Sequence, residues 1–241
     1  MDFLANYFGS LNPMSFLSAL PGNIAQGIIW GLMGLGVFLT FKLLNFADLS
    51  VDGSFATGGA VTAVMLINGC PVWATIIVAI LAGLAAGLVT GLLHTLLGIP
   101  DILAGILTQI ALYSINLNIM GKSNLPISYR NYTLVVSASN INMAILVGLG
   151  ICAVVIAAMY WYFGTEQGST IRSTGSNPAM SKAQGININF TKVIALALSN
   201  GLVALSGSLF AQYQGFADIN MGRGAIVIGL AAVIIGEVLG E

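Results

Sequence analysis

The chain runs to 241 residues, 57% of them hydrophobic and 6% charged, with a formal net charge of −1. A soluble domain carries roughly a quarter charged residues, so 7 Lys+Arg and 8 Asp+Glu cannot cover a water-borne globule, and most of the outside must face lipid. The same sparse charge, with no Lys/Arg cluster, excludes nucleic acid as a partner, because phosphate neutralisation needs many cations on one face.

In chain order, the opening MDFLANYFGSLNPMSFLSAL lacks a basic n-region and a continuous apolar run, so it is expected to be retained rather than cleaved as a signal peptide. About 20 apolar residues are needed to cross the hydrocarbon, and seven stretches approach that template: residues 23–44, 54–67, 72–97, 102–120, 143–163, 193–213 and 224–239. The predicted fold is therefore all-α, a polytopic membrane helix bundle, and the 30 glycines suit closely approaching membrane helices. The second stretch is short and opens DGSFATGG, which points to a helix that is broken or buried by its neighbours rather than facing lipid. Two longer polar stretches remain, 121–142 and 164–192. The latter holds Arg172, Lys182 and Lys192 against Glu166, which places it in the cytoplasm by the positive-inside rule. Residues 121–142, the N-terminus and 215–223 then lie outside, and the C-terminus inside.

Residues 31–48 (GLMGLGVFLTFKLLNFAD) and 201–218 (GLVALSGSLFAQYQGFAD) share seven identities in eighteen positions at an offset of 170. Leucine and glycine matches are cheap in an apolar chain. Phe-Ala-Asp is not, since two of only five aspartates fall in this frame. With five crossings per copy the two copies are inserted in opposite senses, as inverted-topology repeats: a first repeat over about 21–190 and a partial second over about 191–241. Asp48 is expected near the cytoplasmic face and Asp218 near the outer face, although both side chains equally suit simple helix caps. A second copy of equal size would run past Glu241, so either the copies are unequal or, as the abrupt ending GEVLGE favours, the chain is truncated at its C-terminus.

No catalytic constellation is present. His94 stands alone near the end of the third span and suits a satisfied interfacial residue. Cys70 and Cys152 have no metal-like spacing, and no cofactor is called for. Gly121-Lys122-Ser123 lacks the first glycine of a phosphate-binding loop and follows an apolar helix, so energy from ATP would have to come from a partner. Within 164–192, Asn177 suits an N-cap, Pro178 a first helical position and Gly185 a helix stop. These bound a helix of barely two turns that is marginal alone and carries Ala179, Met180 and Ala183 as a small apolar face. Gln109 and Asn116, seven residues apart, share a helix face; with Asn200, Asn45, Asp48, Asp52 and Asp218 they are the candidate pathway or gating residues. Polar side chains at such depth either bond across helices or line a wet path.

Three stretches carry a family resemblance: Leu43-Leu44-Asn45-Phe46-Ala47-Asp48-Leu49, Arg172-Ser173-Thr174-Gly175-Ser176-Asn177-Pro178-Ala179, and Gly229-Leu230-Ala231-Ala232-Val233-Ile234-Ile235-Gly236-Glu237. The chain resembles permease subunits of binding-protein-dependent ABC importers of the branched-chain amino acid and sugar group. The wording Asp48-Leu49-Ser50-Val51-Asp52-Gly53 is similar to a subgroup linked to aromatic amino acids such as tryptophan. The resemblance implies a single permease domain in a bacterial cytoplasmic (inner) membrane and a non-catalytic subunit importing a small polar solute, an amino acid in the first instance. Its implied partners are ATP-binding cassette ATPase subunits, a second permease copy or homologue, an extracytoplasmic solute-binding protein and lipid. The ATPase would dock on Arg172, Gly175, Asn177, Pro178, Ala179, Met180, Lys182 and Gly185. Inverted repeats alone fit equally a stand-alone ion-coupled secondary transporter, which would need a functional intramembrane carboxylate. The aspartates fall at predicted span ends, which disfavours that alternative, and a purely structural membrane scaffold leaves the short capped helix without a purpose.

Overall fold

A computed structural model describes residues 13–127, 134–137 and 140–240. Most of the opening stretch, part of the predicted outer loop at 121–142 and the final Glu241 lie outside the described residues. The helices are α1 (Pro13–Phe38), which runs on as a π-helical turn over Leu39–Leu43, α2 (Val51–Ile67), α3 (Val72–Leu97), α4 (Asp101–Met120), α5 (Ile141–Phe163), α6 (Glu166–Ser176), α7 (Pro178–Ala183), α8 (Ile188–Gln214) and α9 (Ala225–Gly240). Two three-residue strands, β1 (Asn124–Pro126) and β2 (Phe216–Asp218), pair antiparallel with Asn124 opposite Asp218.

Local punctuation sets the helix ends. Pro71 and Pro100 stand at the N-caps of α3 and α4, and Gly98, Gly121 and Gly215 terminate α3, α4 and α8 in the left-handed conformation that glycine adopts without a Cβ penalty. Five helical stretches are long and apolar enough to cross a bilayer: Ala19–Leu43, Val72–Leu97, Asp101–Met120, Ile141–Phe163 and Ile188–Gln214. The second and seventh predicted stretches are the helices α2 and α9, close to their expected bounds at 17 and 16 residues and shorter than those five.

α8 is the hub. It is buried along most of its length and packs against α1, α2 and α3. Its crossing with α2 is close because a Cβ on Gly58 would run into the carbonyl of Ala204, and one on Gly207 into that of Phe55. Such small-residue contacts replace the hydrophobic driving force that helices lack in lipid. Trp30, Phe55 and Phe210 knit α1, α2 and α8 together at centroid distances of 5.2–5.5 Å. α5, by contrast, buries only Ala144 and Gly148 among its described side chains and packs mainly on α1.

α1 and α8 run antiparallel. The Tyr213 hydroxyl donates to Gly22 O at one end, Ser206 to Ile29 O further along, and Ser199 to Gly36 O beyond that. After the π turn, residues 44–50 re-enter the bundle as irregular chain, so that α2 begins beside the middle of α8. Residues 216–224 do the same from the opposite end: Gly222 packs on the backbone of Asp52, so α9 also begins deep in the bundle. These are discontinuous helices, whose irregular backbone is tolerated at such depth only when it is buried in protein or lines a cavity. In both, the shared Phe-Ala-Asp ends in the same turn. Ser50 N donates to Asp48 Oδ1 at 2.8 Å, and Asn220 N to Asp218 Oδ1 at 2.7 Å.

The expected position of Asp48 near a face is thereby corrected. Its Oδ2 accepts from Asn200 Nδ2 at 2.7 Å, and Asn200 stands near the middle of the 27-residue α8. Asp52, one helical step into α2, is deep for the same reason. The argument that every aspartate sits at a span end does not hold for these two.

Candidate functional site

Beside the second re-entrant segment is a cavity of about 320 Å³ lined by Asp52, Gly53, Ala56, Gln109, Ile110, Tyr113, Asn116, Ile219 and Arg223. Its volume falls at the lower end of the small-molecule range of roughly 300–1,000 Å³. α2 contributes Asp52 and Ala56, α4 contributes Gln109, Tyr113 and Asn116 along one stripe, and the chain before α9 contributes Ile219 and Arg223.

Three of the seven predicted pathway residues therefore meet here: Asp52, Gln109 and Asn116. Asn116 is fully buried, and among the described residues neither its Nδ2 nor its Oδ1 has a hydrogen-bond partner. An unpaired buried amide costs roughly 1–3 kcal/mol, so this side chain is suited to a guest or to water rather than to the fold. Asp52 is half-committed. It accepts from Gly224 N at 3.0 Å and Ile226 N at 2.9 Å, thereby capping α9 from another helix at the end where the macrodipole favours an anion. Among the described residues the ion pair found is Lys42 with Glu237, so Asp52 and Arg223 face one cavity without neutralising each other.

The other four predicted residues lie elsewhere. Asp48 and Asn200 are fixed to each other in the core together with Ser50 and Ser54: Ser50 Oγ donates to Asp48 Oδ1 at 2.5 Å and Ser54 Oγ to Asn200 Oδ1 at 2.5 Å. Asn45 is exposed, with φ of 53° at the start of the re-entrant chain. Asp218 is half-buried in the β ribbon, with Asn124 Nδ2 at 3.4 Å. Arg223 and Tyr113 were missed; Arg223 was passed over as part of an outer loop, although it is one of only seven cations.

At the opposite end of α8, residues 164–192 form two helices where one was expected. α6 is the unpredicted one, held by buried Ile171 and Thr174. α7 carries the expected punctuation: the Asn177 side chain accepts from Met180 N at 3.0 Å, Pro178 is at the first turn, and Gly185 has φ of 83°. Of the eight predicted docking residues, Asn177, Pro178, Ala179, Met180, Lys182 and Gly185 are exposed, Met180 by 58%. Arg172 is exposed too, but its guanidinium donates to Phe163 O at 2.9 Å and so ties α6 to the end of α5. Gly175 faces inward, where a Cβ would collide with the carbonyl of Leu43, and so makes a joint with the π turn. His94 is satisfied. Its Nδ1 is 2.9 Å from Ile99 O and its Nε2 is 2.9 Å from Lys192 Nζ, and since an ammonium only donates, Nε2 accepts and Nδ1 carries the proton.

Comparisons with known proteins bear on both ends of the molecule. A family model described as "Branched-chain amino acid transport system / permease component" matches residues 22–240. The chain is 45% identical over 224 residues to a tyrosine transport system permease protein of Clostridioides difficile, covering 92% of this chain and 74% of that protein. It is 28% identical over 234 residues to the D-allose transport system permease protein AlsC of Escherichia coli, covering 95% and 71%. An autoinducer 2 import system permease protein, LsrC of an Enterobacter species, is 28% identical over 236 residues, covering 95% and 66%. No solved structure matches the chain. The bacterial permease relatives and the five apolar helices make this a multi-pass inner-membrane protein. The chain belongs to the family of branched-chain amino acid transport system permease components, the membrane subunits of ABC importers.

Proposed function

We propose that the chain is the solute-translocating subunit of an ATP-driven importer whose cargo is an amino acid, and that its energy comes from an ATPase docked on α7. The observation that carries this reading is the short capped helix itself. Ala179, Met180 and Ala183 turn outward on a helix too short to persist for its own sake, which suits a docking knob for another protein. The family supports the ATPase and binding-protein partners in general terms, and the relative named for tyrosine transport supports an amino acid over a sugar. Within this reading, residues 21–190 and 191–241 are the two inverted copies, α7 is cytoplasmic, the β ribbon is external, and a second permease copy or homologue completes the path.

The test is uptake by proteoliposomes containing the full chain, its ATPase and its binding protein. Accumulation should require ATP, and Met180→Glu should abolish ATPase association while leaving the permease folded. Unchanged uptake in Met180→Glu would contradict the docking role. The burial of Asp48 gives the ion-coupled alternative the intramembrane carboxylate it needs. That side chain is engaged by Ser50 and Asn200 and does not line the cavity; accumulation by the chain without ATP would favour the alternative.

A further inference from the structure

The cavity beside α9 has a charge pattern that narrows its guest. Asp52 and Arg223 both line it, they form no ion pair with each other, and each has unused bonding capacity. Two backbone N–H groups occupy Asp52, while an ionised carboxylate offers about four acceptor sites. Arg223, an exposed residue at the rim of the cavity, has five N–H donors in a fork that matches a carboxylate, and its side chain is uncommitted among the described residues. Asn116 lines the same cavity, and among the described residues its buried amide has both donor and acceptor free. Ala56, Ile110, Tyr113 and Ile219 supply apolar wall.

Resting on the importer reading, we propose that this cavity is a recognition site for a zwitterionic α-amino acid: its carboxylate on Arg223, its ammonium toward the free face of Asp52, its backbone polar atoms near Asn116, and an apolar or aromatic side chain along Tyr113 and Ile110. A neutral sugar leaves two opposed charges unanswered. A simple cation meets Arg223, and a dianion meets Asp52. Only a guest carrying both charges answers both walls, and a site built to pair a group rejects analogues lacking it.

The test is a saturation-transfer NMR titration of the full chain in lipid nanodiscs, without the binding protein, so that selection is read at the permease itself. The probes are L-tyrosine, L-leucine, tyramine, 3-(4-hydroxyphenyl)propanoate and D-allose, each used alone. The wild type should bind at least one of the two amino acids at least tenfold more tightly than tyramine, the propanoate or the sugar. Arg223→Gln should weaken that amino acid at least tenfold and leave tyramine unchanged, with Arg223→Lys recovering part of the loss. Asn116→Leu, which removes the amide without touching the cap of α9, should also weaken it, with an unaltered or raised melting temperature. Equal binding by Arg223→Gln and wild type, preference for D-allose, or no saturable binding of either amino acid would overturn the proposal. Uptake that needs no ATP would instead overturn the importer reading, and this titration is independent of that outcome.

Discussion

The two re-entrant segments share the same three residues, Phe-Ala-Asp, and end in opposite circumstances. In residues 44–50 the aspartate of Phe-Ala-Asp is sealed into the core. Asp48 is 2% exposed and accepts from Ser50 N, Ser50 Oγ and Asn200 Nδ2. In residues 216–224 the equivalent Asp218 keeps the same turn to Asn220 N but stays half-buried, with the distant Asn124 amide as its other neighbour. The first segment is a weld between α1, α2 and α8. The second is an open edge that leaves Ile219 and Arg223 on a cavity. A duplicated turn thus holds its local geometry, while its surroundings decide whether it serves stability or recognition.

That contrast can be broken in order of expected effect. Asp48→Ala removes three hydrogen bonds to a buried carboxyl and leaves Asn200 Nδ2 with only its bond to Leu196 O; with each bond worth about 0.5–1.5 kcal/mol and each orphaned buried donor about 1–3 kcal/mol, the expected loss is roughly 3 kcal/mol or more. For a chain of this size that is about 2–4 °C of melting temperature per kcal/mol, read by thermal unfolding in detergent. A melting temperature unchanged by Asp48→Ala would remove the weld from the account. Asp52→Ala uncaps α9 and should cost about 2 kcal/mol by the same measurement, the upper range for a cap aided by the helix dipole. A cost below that of an ordinary surface substitution would show that α9 finds another cap. Asn116→Leu replaces an unpaired buried amide with an apolar side chain of similar size, so it should be neutral or stabilising by about 1 kcal/mol. Clear destabilisation would mean that the amide has a partner in the apo protein. Asp218→Ala should cost less than about 1 kcal/mol, because the side chain is half in solvent and its turn bond is local. A loss as large as that of Asp48→Ala would erase the distinction between weld and edge.

What the sequence made legible was whatever is written locally. α7 could be bounded to the residue because its signals, Asn177, Pro178 and Gly185, act within one turn. The face shared by Gln109 and Asn116 followed from helical spacing alone and led to the cavity. The short DGSFATGG helix, expected from its length and glycine content to be broken or buried, is buried along most of its length. What stayed hidden depends on residues far apart in the chain. The depth of Asp48 is fixed by Asn200, 152 positions away. The start of α9 is fixed by Asp52, 172 positions from Gly224, so its bounds were legible but its depth in the bundle was not. α6 was invisible because EQGSTIRSTGS carries a single large apolar residue, Ile171, and no periodicity. Arg223 reads as a loop cation in the sequence because the inward path of residues 216–224, with Gly222 packed on Asp52, depends on a distant part of the chain.

The central claim is that α7 and the β ribbon stand at opposite membrane faces with the two re-entrant segments inverted between them. The most direct measurement uses a membrane-impermeant thiol reagent on right-side-out vesicles, with Cys70 and Cys152 replaced by Ala and single cysteines placed at the exposed Asn220 and Met180. Asn220→Cys should react in intact vesicles and Met180→Cys only after permeabilisation; reaction of both from the same side would contradict the account.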